Sequence, residues 1–133
     1  MKALIERNVN IDETLTVEGD FTEGGGYHAM KQLLPAKPDA IFAASDIMAI
    51  GAMRAAREAG LRIPDDIAFI GFDDLPIATL SDIKLTTVRQ PVLQLGSKAV
   101  EVLLDMIENG INPPRHIILE TELVIRQSCG YPI

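Results

Sequence analysis

The chain has 133 residues, 47% hydrophobic and 5% aromatic with no tryptophan, enough for one globular domain with an aliphatic core. Twelve Lys and Arg against nineteen Asp and Glu leave a formal charge of −7, which repels a phosphate backbone and argues against DNA binding by this chain alone. A single cysteine, Cys129, excludes an internal disulfide, and His28 and His116 stand far apart without Cys companions, so no structural metal site is expected.

The segment Met1–Asn8 reads as the tail of a helix. It turns charged too soon for a signal peptide, and no stretch approaches the roughly 18 apolar residues of a membrane span. A soluble, cytoplasmic protein is expected. Leu15-Thr16-Val17-Glu18 is β-prone and ends at Gly19-Asp20. A helix follows from about Thr22 to Leu34, with Gly24-Gly25-Gly26 predicting a loose first turn and Pro35 and Pro38 ending it. Ala40–Ala44 predicts a short buried strand. Ser45-Asp46 then offers a good N-cap pair for an Ala- and Met-rich helix from Ile47 to Ala59, stopped by Gly60.

Ile67–Phe72 predicts a second buried strand ending in Asp73-Asp74, and Leu75–Ser81 a loop or short helical turn. Leu85–Gln90 is extended, and Pro91 opens the helix with the clearest period in the chain. Val92, Leu95, Ala99, Val102 and Met106 form its apolar stripe, widened by Leu103 and Ile107, with Gln94, Lys98, Glu101, Asp105 and Glu108 opposite. Asn109-Gly110 stops it, and Pro113-Pro114 keeps the chain extended. His116–Glu120 and Leu123–Gln127 predict two short strands or one bent strand. This alternation of apolar runs and helical stripes predicts an α/β fold: an open, mostly parallel sheet flanked by helices.

Polar residues fall at the C-terminal ends of the predicted strands: Asp20 and Phe21, Ser45 and Asp46, Asp73 and Asp74. Ligands of open α/β sheets bind outside those ends. An aromatic face, a hydroxyl and carboxylates together suit a polyhydroxylated ligand. From the layout alone, the competing reading is that Asp46 caps a helix and Asp73-Asp74 forms a solvated turn.

Five blocks resemble the LacI/GalR family of transcription regulators. Ala40-Ile41-Phe42-Ala43-Ala44-Ser45-Asp46-Ile47-Met48-Ala49-Ile50-Gly51-Ala52 resembles its AIFAxNDxMAxGA block. Ile63-Pro64-Asp65-Asp66-Ile67 followed by Ile70-Gly71-Phe72-Asp73-Asp74 is similar to vPeDi…iGfDd. Leu85–Pro91 with Leu95, Gly96 and Ala99 is similar to LTTVxQP…lGxxA, Leu123–Ser128 to LvvRxS, and Gly19-Asp20-Phe21 with Gly26 to GDf…G. The blocks stand in the family's order and cover nearly the whole chain.

The resemblance implies an incomplete periplasmic-binding-protein-like type I sensor, with effector held in a cleft between two α/β lobes. It implies residues 1–90 as C-terminal lobe, 91–112 as a helix of the N-terminal lobe and 113–133 as a return strand. Carried over, Phe21 stacks on the ligand, Asp73 accepts hydrogen bonds from its hydroxyls, Ser45 replaces the family's usual Asn, and Gln90 lies at the lobe crossover. Asp46 is expected to be the helix cap. A dimer face is implied around Ile50, Met53 and Arg54 with the Pro76–Leu80 loop.

No cofactor is implied. Operator DNA is expected to be read only through an N-terminal helix-turn-helix, which nothing here resembles, and the family's ligand-binding Arg before the first helix is absent. The 92–108 stripe, without its native sheet, is expected to drive self-association. The nearest alternative is a sugar-binding component of an import system. Adjacent Asp73 and Asp74 cannot flank a substrate bond as acid and base must, and no nucleophile elbow, P-loop or triad is present, so no enzyme activity is expected. Arg126 is expected to be an ion-pair partner at a sheet end, and Cys129 a bystander.

Overall fold

Four strands form one sheet in the order β1 (Ala40–Phe42), β2 (Ala68–Asp73), β3 (Thr86–Arg89) and β4 (Glu122–Val124). The first three run parallel and β4 closes the sheet antiparallel to β3. The helices are α1 (Lys2–Glu6), α2 (Glu23–Leu33), α3 (Asp46–Glu58), α4 (Ile77–Leu80) and α5 (Val92–Asn109). This computed structural model describes residues 2–110 and 116–132. The expectation of an extended Pro113-Pro114 and the 112/113 domain boundary lie outside the described residues. The open, mostly parallel α/β sheet is the architecture expected.

The helices begin where side-chain oxygens can satisfy free N–H groups. Thr22 Oγ1 accepts from Gly25 N at 2.9 Å to start α2, and Ser45 Oγ from Met48 N at 3.3 Å to start α3. Gly60, at φ +84°, follows α3 in the left-handed conformation that ends many helices. The core is aliphatic: Met30 of α2 and Ala49, Ala52 and Ala56 of α3 pack with Ile67, Phe69 and Leu85, all essentially sealed from solvent.

The glycine-rich first turn of α2 is not loose. A Cβ on Gly26 would run into the Met48 backbone, and one on Gly51 into the Glu23 carbonyl. The bare Cα atoms therefore let α2 and α3 approach at backbone contact. The helix-propensity cost of glycine is set against close packing that no larger residue permits.

Three expected strands differ from observation. Leu15–Glu18 is not a strand: Asp12 Oδ1 accepts from Thr14 N at 2.9 Å and Thr14 Oγ1 at 2.6 Å, capping a 3-10 turn over Glu13–Leu15. A local side-chain cap thus outcompetes the sheet. β1 is consequently the sheet edge, not a buried strand, and Phe42 is 65% exposed. His116–Glu120 forms no strand, because the β4 ladder on β3 reaches Arg89 opposite Glu122 and two residues later meets Pro91, which lacks an N–H.

Beyond Val124, side chains replace the ladder. Arg126 N donates to Thr86 Oγ1 at 2.8 Å, and Thr86 N to Ser128 Oγ at 2.8 Å. The buried Ser128 Oγ in turn donates to Phe69 O at 2.7 Å. The chain end is thereby fastened under β2 and β3.

α5 spans Val92–Asn109, and none of its residues is buried. Val92, Leu95, Leu103 and Ile107 face solvent, while Leu95, Ala99 and Val102 share a hollow of about 230 Å³ with Ile117 and Leu119. The stripe is present as expected, but none of its residues is buried.

The glycine crossing is directly testable. Gly51→Ala is expected to lower unfolding stability by about 1–3 kcal/mol, the usual cost of overpacking, measured by urea denaturation. A loss under about 0.5 kcal/mol, the scale of an ordinary surface change, would show that the helices are not held at backbone contact.

Candidate functional site

The parallel register sets the candidate residues side by side. Asp73, last in β2, pairs with Arg89, last in β3, so Gln90 follows directly beside it. Gln90 Nε2 donates to Asp73 Oδ1 at 2.6 Å. Ser45 emerges from the neighbouring strand β1, three residues past its end. Ser45, Asp73 and Gln90 therefore converge on the carboxyl edge of three adjacent strands, the ligand edge of this fold class.

Phe21 reaches the same edge from the α2 side. It lies with Phe42, Ala43, Ala44 and Met48 around an apolar hollow of about 370 Å³, and its side chain is 65% exposed. Its backbone is left-handed, at φ +61°. Asp20 Oδ1 accepts from Thr22 N at 2.9 Å and Thr22 Oγ1 at 2.7 Å, bonds that span Phe21 and hold its carboxyl below the ordinary carboxylate range. Ser45 is buried, its hydroxyl engaged as the α3 cap.

Asp46 is not the cap; Ser45 is. Asp46 is the first residue of α3 and is fully buried. Thr87 Oγ1 donates to its Oδ1 at 2.5 Å and Leu75 N to its Oδ2 at 2.7 Å. Burial raises its pKa, against those two bonds, and the negative charges of Asp73 and Asp74 push the same way. Sequence reasoning missed this role. The signal was present: a carboxylate beside a Gly in one strand and a Thr in the next, since a Cβ on Gly71 would collide with the Asp46 carboxylate.

Asp74 is the ionic counterpart. Arg126 Nη2 reaches Asp74 Oδ1 at 2.6 Å and Arg89 Nε reaches Oδ2 at 2.6 Å, while Arg89 Nη1 also reaches Glu122 Oε2 at 2.9 Å. Burial opposes the Asp74 charge, but the two guanidiniums outweigh it and hold its pKa below the usual value. Arg126 is thus the ion-pair partner at the sheet end that was expected. Its Nη1 also donates to Leu85 O at 2.8 Å, and its carbonyl takes a long contact from Cys129 Sγ at 3.5 Å. Asp74 is neutralised by cations, whereas the bond recorded at the Asp73 carboxylate comes from a neutral amide.

The residues of the implied dimer face are spread between surface and core. Pro76 is exposed and Leu80 is 79% exposed, Ile50 is half-buried and Met53 lies in the core. Arg54 pairs with Glu23 at 2.8 Å and stacks 4.8 Å from the Tyr27 ring centroid. Among the described residues no cluster of three or more His, Cys, Asp or Glu could hold a metal ion. Among the described residues no helix is long and apolar enough to cross a membrane.

This sheet, with its polar carboxyl edge, is the architecture of a ligand-binding α/β domain. The chain belongs to the periplasmic binding protein-like domain family, whose model matches residues 1–129. It is 40% identical over 129 residues to the HTH-type transcriptional regulator CelR of Thermobifida fusca, covering 96% of this chain and 38% of CelR. With the HTH-type transcriptional repressor PurR of Escherichia coli it shares 42% over 132 residues, 98% of this chain and 39% of PurR.

The solved complex of CelR with cellobiose superposes with a TM-score of 0.89 at 39% identity, covering 96% of this chain and 39% of that one. A LacI family regulator from Enterococcus faecium with bound ribose gives 0.82 at 30%, covering 96% and 48%. The chain spans about two-fifths of the length of the curated relatives it matches. These relatives are named as regulators or repressors of transcription, the Enterococcus faecium one as a LacI family member.

The Asp74 pairs supply a pH test. Replacing Arg126 by Met leaves the nearly buried Asp74 with Arg89 alone and is expected to cost about 1–3 kcal/mol at neutral pH. Because the native pKa of Asp74 lies below its ordinary 3.8, its contribution is fully present above that value and is lost as pH falls through the native pKa. The stability gap between wild type and Arg126→Met should therefore hold steady near neutrality and narrow on acidification. A gap that widens in acid would contradict the pairing.

Proposed function

We propose that this chain is the effector-binding and dimerisation part of a LacI-type transcriptional regulator, taking a sugar or related small molecule at the carboxyl edge of β1–β3. The observation that carries the reading is the contrast between the two neighbouring acids. Asp74 is neutralised by Arg126 and Arg89, whereas Asp73 rests against the Gln90 amide and keeps acceptor capacity for ligand hydroxyls. The exposed Phe21 ring supplies an apolar face for a pyranose or furanose, and Gln90 supplies a polar contact at the rim, with the buried Ser45 hydroxyl capping α3 behind it. The cellobiose and ribose complexes of the two relatives favour the same ligand class.

The rest follows from that assignment. Residues 1–90 form the C-terminal lobe, 91–112 a helix of the N-terminal lobe and 113–133 the return strand; the solvent-facing α5 supports this division. Operator DNA is contacted through a separate helix-turn-helix in the cytoplasm, and subunits pair around Ile50, Met53 and Arg54 with Pro76 and Leu80. An import-system role is weaker, because the relatives named above are regulators of transcription.

Thermal unfolding against sugars, sugar phosphates and purines, with cellobiose and ribose included, tests the ligand assignment. A true effector at about 100 times its Kd adds about 2.7 kcal/mol of stability, and Asp73→Ala should abolish most of the shift. A shift that survives Asp73→Ala would move the site elsewhere. Sedimentation tests the exposed α5 stripe: the chain should self-associate with concentration, and Leu103→Asp with Ile107→Asp should return it to monomer. A wild type that stays monomeric throughout would remove α5 as a contact.

A further inference from the structure

We propose that Asp46 is a positioning residue for the effector site: from inside the core it fixes the turn that presents the Asp73 carboxylate. This rests on the assignment of Asp73 to effector binding. Asp73 and Asp74 take consecutive positive-φ backbone conformations, φ +110° and +56°, a region uncommon for residues with a Cβ.

Both peptide N–H groups after Asp73 lead to one carboxylate. Leu75 N donates directly to Asp46 Oδ2 at 2.7 Å. Asp74 N donates at 3.4 Å to Thr87 Oγ1, whose proton goes to Asp46 Oδ1. The Thr87 hydroxyl therefore works as a relay, accepting from the turn and donating to the acid.

Asp46 cannot meet the effector itself, because it has no exposed surface. Its influence on the edge runs through the turn and ends at the Asp73–Gln90 bond. The opposite side of the turn is tied by Arg126 and Arg89 to Asp74. Those ties anchor the Asp74 side chain, while Asp46 anchors the backbone that sets where Asp73 points. A buried strut with no bearing on the site would need only to keep α3 on the sheet, and an amide or a small apolar residue would differ mainly in stability.

The test reads the ligand-free chain first. By NMR, the Gln90 side-chain amide should carry the signature of a hydrogen-bonded group in wild type. It should move to the free-amide position in Asp46→Ala and in Thr87→Val, the latter preserving volume and the buried carboxylate. Asp46→Asn, which keeps an acceptor for Leu75 N, should retain the wild-type signal. Exchange of the Leu75 amide should quicken about tenfold or more in Asp46→Ala while Phe69 and Ile70 stay protected.

With cellobiose as probe, Kd should rise about tenfold in Asp46→Ala and much less in Asp46→Asn. An unmoved Gln90 amide in either folded variant, or an Asn variant as impaired as Ala, overturns the proposal. A wild type that binds no cellobiose removes that sugar as the effector, and the ligand-free amides still decide the positioning role.

Discussion

A single buried carboxylate organises the carboxyl edge of this domain. Asp46 starts α3, yet its two oxygens belong to the sheet, one taking the Thr87 hydroxyl of β3 and the other the Leu75 amide beyond β2. A charge sealed from water is costly unless it is hydrogen-bonded, and here both oxygens are. Gly71 leaves the space the carboxylate occupies. The raised pKa records that burial and the nearby Asp73 and Asp74 charges outweigh the two bonds. Three of the blocks that resemble LacI-type regulators, around Asp46, Gly71 and Thr87, therefore meet in one hydrogen-bonded junction.

Around that junction the molecule divides into a well-packed body and an open flank. The body is α2 on α3 at glycine contact, with β2 and β3 behind them and the C-terminal segment fastened through Ser128 and Arg126. The flank is α5, a long amphipathic helix whose apolar stripe lies in solvent. Burial of such side chains is the dominant source of stability in a domain this size. The body therefore carries the fold, and α5 contributes no buried residue to it. Gln90 stands at the joint between them, bonded to Asp73 on one side and followed by Pro91 and α5 on the other.

Much of this was legible in the sequence, for identifiable reasons. Apolar runs gave β2 and β3, an Ala- and Met-rich run gave α3 and a 3.6-residue stripe gave α5, each to within one residue, while the Ser45-Asp46 pair and Gly60 marked the ends of α3. The carboxyl-edge rule gathered Ser45 and Asp73 on one rim, and family resemblance added Gln90. What stayed hidden was tertiary. Nothing local distinguishes Leu15–Glu18 from a strand until Asp12 caps the preceding turn, and nothing marks Gly26 as a contact point rather than a weak helix residue until Met48 lies across it. Asp46 looked like a cap because caps are local, whereas its partners are 29 and 41 residues away.

The difference between the two neighbouring acids is the step from structure to function. Arg126 and Arg89 absorb the charge of Asp74, and in the proposed reading Asp73 is the acid that meets an uncharged, hydroxyl-rich ligand. The most direct check is chemical-shift mapping of the isotopically labelled chain, titrated with whichever sugar stabilises it. Shifts are expected at Phe21, at Asp73 through Leu75 and at Gln90, with the α5 resonances changing least. Shifts confined to α5 and the hollow beside Ile117, with the Asp73 turn unmoved, would contradict it.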